Sequence, residues 1–261
     1  MEKDSFGIVY VATGDFFAKE AIESAGQIKK LNSDVKIALF TDKEYGSDNI
    51  DHELVIESPL NSVKDKMMCL HKSPFYYNIF ADSDTYFVVD PSRLKSVFDY
   101  YDFACAHAPQ RIAYDVESVP EWFPEVNGGL LLYTLSSETK EFFLRWKDLY
   151  EADEIRFKED KSKWPHGLRE QPTLRKALFE SKLRIYILPP EYNFRTIFPN
   201  FAGSKVKMLH GRMKNWSDVV TRINQDGRPR IVCPNEEYNS LYILRKNSWS
   251  HKILSLVHRF I

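Results

Sequence analysis

Apolar and polar positions follow two periods along this chain. Phe6 to Ala12 (FGIVYVA) is a short unbroken apolar run closed by Thr13-Gly14-Asp15, the pattern of a buried strand feeding a turn. Phe17, Ala21, Ala25 and Ile28 then recur every three or four residues, marking one face of a helix. Val35 to Phe40 (VKIALF) is a second strand, followed by Thr41-Asp42. Strand, helix and strand at this spacing predict a parallel unit with a right-handed crossover.

The pattern continues with a short strand at Leu54 to Ile56 and a helix at Asp65 to His71 that stops near Ser73-Pro74. Phe75 to Ala81 (FYYNIFA) is a clear strand ending at Asp82-Ser83-Asp84. Phe103 to Ala106 is a weaker one, and Asn127-Gly128-Gly129 opens another at Leu130 to Tyr133. Glu138 to Tyr150 predicts a helix with Phe142, Phe143, Trp146 and Leu149 on its apolar side. Glu151 to Lys163 is so rich in charge that it predicts a mobile surface loop or a solvated helix. Gln171 to Glu180 reads as a helix, Arg184 to Leu188 as a strand, and Lys205 to Leu209 as one more strand. With no repeat and no low-complexity linker, these elements predict one α/β domain over 1–245, with a mixed, mainly parallel central sheet flanked by helices.

Composition narrows the function classes. A formal net charge of -1 gives no reason to expect nucleic-acid binding. Cys69, Cys105 and Cys233 are widely spaced and form no CxxC pair, which argues against a zinc site or disulfide framework and for a reducing compartment. No secretory signal precedes the first strand and no apolar run is long enough to span a bilayer, so a cytoplasmic protein is expected. Over 246–261, Trp249, Ile253, Leu256, Val257, Phe260 and Ile261 share one side of a predicted helix, with basic residues on much of the rest. Such an end either packs on the domain or lies on an anionic membrane surface as a peripheral contact.

The chemistry starts at Asp82-Ser83-Asp84. In open α/β sheets, ligands bind beyond the carboxyl ends of strands. Two carboxylates two residues apart point the same way from extended backbone. They suit a hard divalent cation such as Mg²⁺ or Mn²⁺, which in turn binds phosphate oxygens. His210, after the apolar run Val206 to Leu209, can complete a mixed nitrogen–oxygen site suited to Mn²⁺. The bland alternatives are a polar turn for the pair and a structural role for the histidine.

The run Lys66 to Phe75, then Ile79-Phe80-Ala81-Asp82-Ser83-Asp84-Thr85, resembles the nucleotide-sugar transferases of the GT-A fold, with glycosyltransferase family 8 and its bacterial neighbours nearest. Asn127-Gly128-Gly129, Glu170-Gln171 with Leu174, Leu188-Pro189 with Tyr192-Asn193 and Arg195, and His210-Gly211 with Lys214 and Trp216 resemble further motifs of that family in the same order. Departures are Ala81 before the pair, Glu170 where Asp is usual, and a compressed histidine motif with Asn215 where proline is common.

The resemblance implies a glycosyltransferase that moves a sugar from a nucleotide-diphosphate donor, UDP-sugar favoured, to an acceptor hydroxyl with retained anomeric configuration. It implies Mn²⁺ or Mg²⁺ on Asp82, Asp84 and His210, and Lys214 and Lys66 on the diphosphate. Gln171 would lie near the anomeric carbon, and Glu170 would bind a sugar hydroxyl or act as a base. Thr13, Asp15, Phe17 and Asp42 would meet the base and ribose, with Ser83, Asn127, Gly128 and Gly129 completing the donor site. A glycan, a lipid-linked molecule or a protein are all open as acceptor. The rivals are a sugar-nucleotide-binding module without catalysis and a haloacid-dehalogenase-type phosphatase, which also places Asp-x-Asp after a strand but needs a later acidic pair that this sequence lacks.

Overall fold

The computed structural model describes residues 4–164, 167–225, 227–235 and 240–245. The helix expected over 246–261 therefore lies outside the described residues. The backbone of the central sheet comes from β1 (Phe6–Val11), β2 (Lys36–Thr41), β3 (His52–Val55), β4 (Tyr77–Ala81), β6 (Phe103–His107), β7 (Val126–Thr134) and β8 (Ile185–Leu188). They lie in the order β3-β2-β1-β4-β7-β6-β8. Every neighbouring pair is parallel except those made by β7, which runs against both β4 and β6.

Helices cover both faces, so the central strands are apolar on both sides rather than alternating. Ile8, Tyr10, Ile79 and Leu132 pack with Ala21, Ala25 and Ile28 of α1 (Asp15–Leu31) on one face. Val9, Phe80, Leu131 and Tyr133 point to the other face. There they meet α2 (Val63–Cys69), α3 (Ser137–Glu159) and α4 (Gln171–Glu180), chiefly through Met67, Phe142, Phe143, Trp146 and Leu174. Phe17, assigned by its spacing to the buried face of α1, is 47% exposed, and the buried stripe starts at Ala18. The charged stretch after Tyr150 is helix as far as Glu159, because α3 continues through it on paired charges such as Lys147–Glu151 and Lys158–Glu154.

A second layer sits at the carboxyl ends of the strands. β5 (Thr85–Phe87), β9 (Phe194–Arg195) and β11 (Met208–His210) form a small sheet in the order β5-β11-β9. β10 (Asn200–Ala202), β12 (Arg230–Asn235) and β13 (Ser240–Arg245) form another, and α5 (Trp216–Ile223) packs with them around Leu209, Val219 and Ile223. The expected strand at Lys205 to Leu209 begins only at Met208 and runs through His210.

Candidate functional site

β4 delivers Asp82, and a single cross-strand ladder brings His210 to it. The Asp82 amide donates to the carbonyl of Gly129 in β7 at 3.0 Å, and the Thr85 hydroxyl donates to the Asp82 carbonyl at 2.8 Å. The turn between them sends the chain into β5, which pairs antiparallel with β11 so that Thr85 stands opposite His210. The Gly211 amide then donates to the Asp84 carbonyl at 2.9 Å. The two segments are far apart in sequence and are locked together by backbone, which is why the three side chains converge. His210 Nε2 lies 3.3 Å from Asp84 Oδ1 and 3.6 Å from Asp82 Oδ2. One potential ligand atom from each residue falls within 4.8 Å of the others.

The far side of the imidazole is fixed. His210 Nδ1 is 2.8 Å from Asn193 Oδ1, an atom that only accepts, so Nδ1 carries a proton. Asn193 Nδ2 donates to Asn127 Oδ1 at 3.0 Å, and that oxygen also accepts the Gly129 amide at 3.0 Å. This chain of partners orients the ring and is the kind of outer support that metal-binding histidines use. Asn127 is thus buried inside β7 and engaged with the protein, not in a turn ahead of the strand.

Nε2 faces two kinds of neighbour, the carboxylates of Asp84 and Asp82 and, at 3.2 Å, Arg195 Nη1, which can only donate. A neutral ring protonated at Nδ1 presents its Nε2 lone pair to that donor, and the same form ligates metals. Burial works against ionisation of Asp84, but contact with His210 and the nearby positive charges of Arg212 and Arg195 outweigh it and hold this carboxyl down at about 2. Arg212 approaches Asp84 Oδ2 at 3.5 Å, and its guanidinium also pairs with Glu20 at 2.8 and 2.9 Å. Glu20 in turn accepts the Ser83 hydroxyl at 2.6 Å.

Beside Asp82 lies a buried ion cluster. Lys66 Nζ donates to Glu170 Oε1 at 2.9 Å, to the Gly128 carbonyl at 3.3 Å and to Asp82 Oδ1 at 3.4 Å. Burial pulls the Lys66 ammonium down, and the charges of Asp82 and Glu170 more than restore it, so the net direction is up. Glu170 Oε2 is buried and has no partner among the described residues. A side-chain carbon on Gly128 would come within 2.9 Å of Glu170 Oε1, so this close approach needs glycine. Gln171, the first residue of α4, is half-buried, and its side chain makes no hydrogen bond to the described residues.

The strand-end loops on the other side gather the remaining expected residues. The Thr13 hydroxyl donates to Asp65 at 3.2 Å, and the Gly14 amide donates to Asp42 at 2.8 Å, a contact that keeps the Asp42 carboxyl below its usual range. Asp15 is exposed, pairing with Lys43 at 2.6 Å and Tyr45 at 2.9 Å. Phe16 and Phe17 are exposed, with the Arg212 guanidinium 5.5 and 5.7 Å from their ring centres. Lys214 is exposed and forms no hydrogen bond or ion pair with the described residues. The cation beside the carboxylates from that loop is Arg212. Glu20 and Arg212 were not singled out by sequence, and Arg195 was read only as part of the motif after Leu188-Pro189, with no role in the site. Glu20 and Arg212 are 192 positions apart, and no local pattern links them.

No family model and no curated protein matches this sequence. Solved structures do match the fold. The apo bifunctional glycosyltransferase WbbM superposes with a TM-score of 0.54 at 13% identity, over 81% of this chain and 46% of that one. The glycosyltransferase GlyE of Streptococcus pneumoniae TIGR4 gives 0.51 at 16% identity, over 73% and 47%. The galactosyltransferase LgtC, solved with donor and acceptor sugar analogues, gives 0.50 at 15% identity, over 84% and 94%. The chain thus spans about half the length of GlyE and WbbM and nearly all of LgtC. These likenesses establish the class: a mixed α/β fold of the GT-A glycosyltransferase type. Among the described residues, no helix is long and apolar enough to cross a membrane.

Proposed function

We propose that this chain is a glycosyltransferase that takes a sugar from a nucleoside-diphosphate donor, UDP-sugar favoured, and passes it to an acceptor hydroxyl. The observation that carries the reading is the convergence of Asp82, Asp84 and His210 at the end of β4 in a GT-A fold. Two carboxylates and an imidazole whose outer nitrogen is held by Asn193 form a donor set that fits Mn²⁺ or Mg²⁺. When bound, such a cation neutralises charge on the leaving diphosphate.

The chain's own residues do the rest. In the reaction the bond from the anomeric carbon to the phosphate oxygen breaks, a bond to the acceptor oxygen forms, and the acceptor proton passes to an oxygen of the departing diphosphate. Arg212 at the mouth, with Lys214 two residues on, supplies positive charge for the departing diphosphate. Lys66 faces it from the opposite wall through Asp82. Gly128 and Gly129 are assigned to the donor side, where their missing side chains leave room for Glu170 and His210, and Glu170 Oε2, without a partner among the described residues, accepts a hydrogen bond from a sugar hydroxyl. Because Oε1 is committed to Lys66, this carboxylate serves binding better than general-base work, in keeping with retention. Gln171 stands next to it at the start of α4 and is assigned to the anomeric centre. Thr13, Asp42, Asp15 and the exposed Phe17 ring are assigned to base and ribose, and Ser83 to the donor side of the pair.

A thermal-shift series tests this. A nucleoside diphosphate that binds the folded chain raises the melting temperature by mass action. One of the uridine, guanosine, adenosine, cytidine or thymidine diphosphates should raise it only when Mn²⁺ or Mg²⁺ is present. No stabilisation by any of them with either metal would overturn the reading.

A further inference from the structure

Arg195, the last residue of the motif with Tyr192-Asn193, stands in the site beside His210. It is the cross-strand neighbour of His210 in the parallel β9–β11 pair, so both side chains emerge side by side. Its Nη1 donates to His210 Nε2 at 3.2 Å, the same lone pair that a metal would need. Its Nε is buried without a partner, and no carboxylate lies within ion-pair distance of its guanidinium among the described residues. Burial of the guanidinium works against its charge and outweighs the opposing pull of Asp84, Asp82 and Glu170. The Phe198 ring, 5.9 Å from its central carbon, supports the plane.

A guanidinium has five N–H donors in a fixed fork suited to phosphate oxygens. One hydrogen bond, to an imidazole, leaves most of that capacity unused among the described residues, in a pocket edged by carboxylates. One lone pair on Nε2 cannot serve both an N–H and a divalent cation.

We propose that Arg195 is a two-position cation. Without metal it caps His210 Nε2 and holds the ring beside the carboxylates. When a divalent cation takes that lone pair, charge repulsion turns the guanidinium away, and it becomes a ligand for the donor's diphosphate. The inference rests on the metal site proposed above. It makes Arg195 unfavourable for metal binding alone and favourable for diphosphate binding once metal is present.

The test is Arg195→Met in the full chain at pH 8, with Mn²⁺ alone followed by paramagnetic resonance, then uridine diphosphate at saturating Mn²⁺ followed by calorimetry. Mn²⁺ alone should bind about fivefold to tenfold tighter in the variant, at the low end of the usual range of coupling between sites. Uridine diphosphate should bind roughly tenfold weaker or worse, as expected for loss of a charge-assisted contact. A purely structural role would weaken both, and that outcome overturns the proposal, as does unchanged affinity for either. If Arg195→Met fails to fold, Arg195→Lys takes the same test and should move both affinities in the same opposed directions by less. Absence of Mn²⁺ binding by the unaltered chain, with or without uridine diphosphate, would remove the metal site itself and this inference with it.

Discussion

A side-chain carbon placed on Gly129 would lie 1.9 Å from Cε1 of His210. Neither partner has room to retreat. Gly129 sits in a central strand with its amide bonded to Asn127 and its carbonyl to Asp82, and His210 is 1% exposed. Gly129→Ala should therefore push the imidazole out of line with the carboxylates. We expect a stability loss of about 1–3 kcal/mol, typical of overpacking, and loss of Mn²⁺ binding. A denaturant melt and a Mn²⁺ titration check both, and a variant that keeps normal Mn²⁺ affinity would show that the close packing is incidental.

Asp84 gives a pH signature. Its carboxyl is held at about 2 when folded, below the usual carboxylate range. A lowered folded value means that stability is present above the unfolded value and lost as pH falls through the folded one. Asp84→Asn should thus fold but be less stable near neutrality, by on the order of 2 kcal/mol. The gap between variant and parent should shrink as pH drops from 4 towards 2. Unfolding curves across that range measure it, and a gap independent of pH would remove Asp84 as the ionised partner of His210 and Arg212.

The buried Lys66–Glu170 pair is predicted to be coupled. Lys66→Met leaves Glu170 and Asp82 without their shared cation, which typically costs about 3–5 kcal/mol for a buried pair. Lys66→Met with Glu170→Gln should recover part of that loss. A double-mutant cycle by urea unfolding reads the coupling directly, and simple additivity would contradict it.

Two loop cations can be ranked. Arg212→Ala should lower kcat more than Lys214→Ala, because Arg212 contacts Asp84 while Lys214 forms no ion pair with the described residues. A loss of about 2–4 kcal/mol in barrier stabilisation matches removal of one such donor. If Lys214→Ala has the larger effect on kcat, the loop after β11 closes differently with donor bound.

The sequence already contained the strands whose apolar runs are continuous and the helices whose periods are clean. β1, β2, β4, β8 and α4 fall where those patterns put them. It concealed elements too short or too polar to show a period, such as β5 and β9. It also hid α5, whose apolar positions pack on a separate small cluster. The Asp82, Asp84 and His210 trio was legible because each sits at the end of an apolar run. Asn193, Arg195, Arg212 and Glu20 were not legible as partners, since their roles come from the β5–β11–β9 pairing and from a contact across the whole fold. Gly128 and Gly129 read as the opening of a strand at Leu130, yet they lie inside β7, kept small by Glu170 and His210.

The most direct measurement is release of nucleoside diphosphate from a panel of sugar nucleotides, with and without Mn²⁺, in the parent and in the triple variant Asp82→Asn, Asp84→Asn, His210→Ala. The account predicts that at least one sugar nucleotide is cleaved by the parent only when a divalent cation is supplied, and by the triple variant not at all. Cleavage that survives both chelation and the triple substitution, or no cleavage of any donor under any condition, would contradict it.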